Sequence, residues 1–95
     1  MKGRTLHLTL KKKWFDMIIS GQKTEEYREI KPYWTRRIWD TEFDCVQFRN
    51  GYRADSPTMI VDPISVTQGV GNAEWGAPPH RVYIITLGDI LETAV

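Results

Sequence analysis

Within fifteen residues, SGQKTEEYREIKPYW from Ser20 to Trp34, the chain places Lys23, Glu25, Glu26, Arg28, Glu29 and Lys31 ahead of Tyr33 and Trp34. A lysine, a glutamate three residues on and an arginine two beyond that suit two kinds of chemistry. The cations attract phosphate, the arginine through two parallel hydrogen bonds. The carboxylate, flanked by cations, stays ionised and accepts from a base edge or a 2′-hydroxyl, or takes a proton as a general base. If Thr24 to Ile30 is extended, Thr24, Glu26, Arg28 and Ile30 share one face, and Glu25, Tyr27 and Glu29 share the other. A face of Thr, Glu and Arg is a poor core, so it meets water or lines a cleft. In the first case Glu26 and Arg28 form an exposed ion pair worth about 0.5 kcal/mol.

The elements that must position these residues follow from hydrophobic periodicity. RTLHLTL alternates Leu6, Leu8 and Leu10 against Thr5, His7 and Thr9, the pattern of a half-buried strand. KKKWFDMIIS carries Trp14, Met17 and Ile18 on one helical face and is followed by Gly21, a stop signal. Lys23 to Ile30 lacks a helical stripe and lies between Gly21 and Pro32, which predicts a short extended segment. Pro32 suits the first turn of a second helix, with Trp34 and Ile38 four apart. FDCVQFRNG alternates again before the turn signal Asn50-Gly51. TMIVDPISVTQGV is a long β-branched run in which Pro63 implies an edge or a bulge. GVGNAEWGAPPH is a loop, RVYIITL a last strand, and GDILETA one or two closing helical turns. This order predicts a single α+β domain over residues 1–95, built on a small curled sheet or barrel.

Composition bounds the function. Ninety-five residues, 41% hydrophobic and 26% charged, give one core and suggest neither disorder nor a membrane protein. A lone Cys45 and an N-terminal stretch without a signal-peptide core predict a cytoplasmic protein. Residues 1–37 hold ten Lys/Arg and four Asp/Glu, and residues 38–95 hold three and eight, so charges of +6 and −5 sum to the net +1. That asymmetry points to an anionic partner on the N-terminal half.

The spacing Gly21, Lys23, Glu26, Arg28 also matches the glycine-x-lysine-x-x-glutamate-x-arginine motif of the ASCH domain, a member of the PUA-like superfamily. Trp14 seven residues before the glycine, the PYW segment, VQFRNGY and VYIITLGDILE extend the resemblance over nearly the whole chain, in the short form found in bacteria and their phages. The resemblance implies a five- or six-stranded β-barrel with two or three short helices, and a cleft that contacts RNA, a nucleotide or a modified nucleoside. One branch of the family resembles an N4-acetylcytidine amidohydrolase with a threonine nucleophile three residues after the lysine. Glu26 stands there in this chain, so that nucleophile does not carry over, and Thr24 is the nearest hydroxyl. Another branch is implied to cut RNA.

The expected site is therefore Lys23, Glu26 and Arg28, with Lys13, Arg49, Asn50 and Trp75 at its rim, Trp75 as a platform for stacking a base. If a reaction is catalysed, Lys23 and Glu26 carry it, with Thr24 the weaker candidate. Trp14, Trp34 and Trp39 read as anchors for helices. Lys11 to Lys13 read as a solvated first helical turn near enough to guide a phosphate backbone. His7, His80 and Cys45 have no ligand spacing, so neither metal nor cofactor is expected. The reading is a monomeric RNA- or nucleotide-binding domain without a membrane contact. An enzyme on RNA or a modified nucleoside, and a protein-interaction module, are the alternatives.

Overall fold

The three leucines of RTLHLTL need a second layer to cover them, and the helix after Lys11 supplies it. The computed structural model describes residues 3–94, so Met1, Lys2 and Val95, which the sequence reading includes in the domain, lie outside the described residues. Strand β1 (Thr5–Leu10) leads into helix α1 (Lys12–Ile19), strand β2 (Glu25–Arg28), a helical turn α2 (Pro32–Trp34) that widens into a π turn (Thr35–Trp39), and strands β3 (Cys45–Asn50), β4 (Thr58–Gly69) and β5 (Val82–Ala94). The π turn closes through the Asp40 N–H to Thr35 O bond, 2.8 Å.

The strands form one five-stranded sheet in the order β1-β3-β4-β5-β2, parallel between β1 and β3 and antiparallel elsewhere. Leu6, Leu8 and Leu10 of β1 share one core with Phe15 and Ile18 of α1, Ile38 of the π turn, Val46 and Phe48 of β3, Met59 and Val61 of β4, and Tyr83, Ile85 and Leu87 of β5. A second apolar cluster covers the other face of β5. There Tyr27, Ala77 and Val82 pack with Trp75 and Ile84, so the loop before β5 is a lid on the sheet.

β4 pairs on both sides, and its register shifts around Pro63 mark the bulge that a proline inside a strand requires. The expected terminal helix is absent: GDILETA continues β5, pairing Ile90 with Val61 and Ala94 with Thr58. The first residues of β4 give that segment ladder partners, which outweigh the helix propensity of Leu91 and Glu92.

β1 and β2 are the two edges of the sheet, and no ladder joins them among the described residues. The Arg28 side chain crosses the seam instead, donating from Nη2 to Thr9 O at 3.2 Å.

The turn between α1 and β2 aims the site. Gly21 has φ +86°, its N–H bonds Ile18 O at 3.0 Å, and the Lys23 N–H bonds Met17 O at 3.0 Å. A Cβ at Gly21 would meet nothing within 4 Å, so the demand for glycine comes from the backbone conformation alone. Gly21→Ala is expected to cost about 1 kcal/mol, lowering Tm by about 4–8 °C, and Gly21→Asn distinctly less. Thermal melts of the three proteins check this, and equal loss in both variants would mean that space rather than φ sets the requirement.

Candidate functional site

Past the Gly21 turn, the Lys23 side chain enters the protein and is only 1% exposed. Its ammonium donates to Trp75 O at 2.8 Å and lies 3.1 Å from Glu26 Oε1. It also stands 4.7 Å from the centre of the Tyr27 ring and 5.3 Å from that of Trp14. These contacts are what a cation needs when water is removed: an anion, a carbonyl and ring faces. Burial still dominates and pulls the Lys23 pKa below its ordinary value, against the opposing pull of Glu26.

Glu26 is 5% exposed and shared between two cations, Lys23 at Oε1 and Arg28 at Oε2. The exposed ion pair considered for Glu26 and Arg28 is therefore corrected to a buried network. The cause is the pairing of β2 with β5, which sets Glu26 opposite the fully buried Ile85. The arginine expected to grip phosphate, Arg28, is already partly engaged by the protein. Its Nη1 donates to Glu26 and to Tyr27 O at 2.8 Å, and its Nη2 donates to Thr9 O. The Trp34 ring stacks beneath the guanidinium, 5.2 Å from centroid to Cζ. These bonds use three of its five N–H donors, so Arg28 frames the cleft while a second Nη2 hydrogen and the Nε–H have no partner among the described residues.

The cleft has a volume of about 240 Å³. Glu26, Arg28, Tyr27, Trp14, Trp75 and Lys11 line it, together with Thr9, Leu10 and Gly76. Lys23 lies behind its wall. Gly76 has φ +94°, and a Cβ there would approach the Trp14 ring to 2.9 Å, so glycine lets the lid reach Trp14.

Of the expected rim residues only Trp75 reaches the cleft, and its carbonyl also anchors Lys23. Lys13 is exposed over the Trp14 ring, 4.7 Å from its centre, and the cleft-lining lysine is Lys11. Arg49 donates to Arg53 O at 3.2 Å, and the Asn50 N–H bonds Pro57 O at 2.9 Å; neither side chain lines the cleft. Thr24 borders a separate depression that Lys23 also lines, with Ile18, Gly21 and Leu87. Trp14 and Tyr27 are site residues that the sequence reading treats only as helix anchor and strand face. Their signal is the buried lysine itself, which needs ring faces near it. Trp39, also expected to anchor a helix, stacks on Tyr83 with ring centres 5.5 Å apart. Among the described residues no three His, Cys, Asp or Glu side chains gather as a metal site would require, and no helix is long and apolar enough to cross a membrane.

Comparison with protein-family models, with curated proteins and with solved structures gave no match to this chain.

Removing one member of the buried network has unequal consequences. Glu26→Leu strands Lys23 without its carboxylate and is expected to cost about 3–5 kcal/mol, whereas Lys23→Met leaves Glu26 paired with Arg28 and costs less. Denaturant melts would show the order, and a larger loss in Lys23→Met would contradict it.

Tyr27 supplies a pH signature. Its hydroxyl donates to Glu25 Oε1 at 2.7 Å and accepts the Asn72 N–H at 3.0 Å, and burial pushes its pKa up to about 12 from 10.0. The folded state holds this proton more tightly than the unfolded chain. The contribution is therefore complete below pH 10 and lost as pH rises through about 12. Lys23 acts oppositely, its depressed pKa adding stability as pH climbs from that lowered value to 10.5. Tyr27→Phe is therefore expected to remove a decline in stability across this alkaline window. Melts of both proteins at stepped pH check it, and parallel pH profiles would refute the assignment.

Proposed function

We propose that the cleft holds one base of a single-stranded RNA, or the base of a nucleotide, within a PUA-like barrel of the ASCH type whose seam lies between β1 and β2. The observation that carries the reading is a buried carboxylate, fixed by two cations, inside a small cleft walled by Trp14, Tyr27 and Trp75. Aromatic walls suit the flat face of any base. A carboxylate with both oxygens already positioned accepts from a base N–H without having to be ordered on binding. The volume lies below the roughly 300–1,000 Å³ of clefts that enclose drug-sized ligands, which fits a base better than a larger molecule. Lys11 at the mouth adds a cation for the attached phosphate.

A hydrolytic reading has one observation in its favour, the depressed pKa of Lys23 beside a carboxylate. Against it stand the 1% exposure of Lys23 behind the cleft wall and the position of Thr24 outside the cleft.

Fluorescence anisotropy with a short single-stranded RNA is expected to show binding that weakens as salt rises. Trp14→Ala is expected to lose about 1–3 kcal/mol of binding through the missing stack, and Glu26→Gln about 1–2 kcal/mol. Mass spectrometry should find no product from RNA or N4-acetylcytidine. Absence of RNA binding at low salt would defeat the proposal. Turnover that Glu26→Gln reduces by roughly 10²–10⁴ would establish the enzyme instead.

A further inference from the structure

A second, larger depression of about 500 Å³ lies between β1 and the α2 turn. Arg4, His7, Tyr33, Arg37, Thr41 and Phe43 are among its lining residues, and no Asp or Glu is. Glu42 and Asp44, which alternate with Thr41 and Phe43, stay outside the lining. Arg4, His7, Tyr33 and Arg37 are all exposed. Arg37 has one recorded hydrogen bond, from Nη1 to Tyr33 O at 3.0 Å, and among the described residues neither Arg37 nor Arg4 pairs with a carboxylate. In charge these arginines differ from Arg28, whose guanidinium is matched by Glu26.

A run of stacked side chains links the groove to the cleft. The Arg37 guanidinium lies 3.6 Å over the Tyr33 ring, Tyr33 meets Trp34 edge-on at 4.8 Å, and Trp34 supports Arg28 in the cleft wall. Four planar groups, cation, ring, ring and cation, thus run from one depression to the other. The edge strand β1 follows the same course, with Thr5 and His7 bordering the groove and Thr9 the cleft. From Leu6 to Leu10 that path is about 13 Å at the usual rise of a strand. A free nucleoside in the cleft leaves such a groove empty.

We infer that the groove seats the sugar-phosphate backbone flanking the base held in the cleft, so that the ligand is a single-stranded RNA several nucleotides long and not a free nucleoside. The inference rests on the base-binding reading of the cleft. It gives phosphate contacts to Arg4 and Arg37, which have no carboxylate partner among the described residues, and gives exposed Tyr33 a neighbouring base to stack on.

The test titrates wild type and an Arg4→Gln/Arg37→Gln double variant with a fluorescent RNA of about eight nucleotides, and with a nucleoside monophosphate as competitor. Both arginines are exposed, so thermal melts should coincide. The double variant is expected to bind the octanucleotide about tenfold more weakly with a shallower salt dependence, and the monophosphate as wild type does. Tyr33→Ala is expected to weaken octanucleotide binding alone. Wild-type affinity of the double variant for the octanucleotide would overturn the groove assignment and leave the cleft reading standing. So would loss of affinity for a glutamate-rich peptide while RNA binding is unchanged. Failure of wild type to bind either RNA ligand would overturn both.

Discussion

Lys23 is the constraint around which this domain is arranged. An ammonium group withdrawn from water needs replacement partners, and in an interior of this size they come from distant parts of the chain. Glu26 comes from β2, a carbonyl from the loop before β5, and ring faces from α1 and β2. Glu26 in turn needs Arg28, which reaches across to β1. Burying one charge therefore ties together the helix, both sheet edges and the lid. Buried ion networks often contribute little net stability compared with apolar packing. What this one does is hold a carboxylate at the wall of a cleft without leaving a cation free to move.

That economy of partners separates two kinds of positive charge. The cations nearest Glu26 share its carboxylate and set the shape of the cleft. The arginines between β1 and α2 have no carboxylate partner among the described residues, and they contribute to the positive charge of the N-terminal half. Motif residues and ligand-grasping residues thus need not be the same ones. A motif whose spacing is strict because its members bond to one another leaves contact with the ligand to less patterned neighbours.

Much of the architecture is legible in local pattern. The Leu6, Leu8, Leu10 alternation works because β1 has one buried face, and Pro63 is informative because a central strand tolerates proline only at a bulge. Gly21 is legible as a stop because no other residue there ends the helix. The failures are equally physical. Residues 88–94 look helical in isolation, and only the pairing of Ala94 with Thr58, 36 positions away, makes them strand. Glu26 and Arg28 look like surface charge because their burial depends on the lid and on β5. The grouping of Glu26 and Arg28 at one cleft is what the motif resemblance implies, and Trp75 is suggested by its loop, but Lys11 displaces Lys13 because the helix phase at its first turn is unreadable from three identical residues.

The unpaired seam gives the domain a mechanical asymmetry. Everywhere else, separating two strands breaks a backbone ladder, but among the described residues parting β1 from β2 breaks no ladder, only the Arg28 side-chain bond to Thr9 O. The physical expectation is that the sheet opens first along the line where the cleft lies, with amide protons on the outer side of β2 exchanging through small openings that leave the core intact. A ligand seated across that line would act as a clasp, stiffening the sheet where the backbone does not and tying its residence time to the opening rate of the seam.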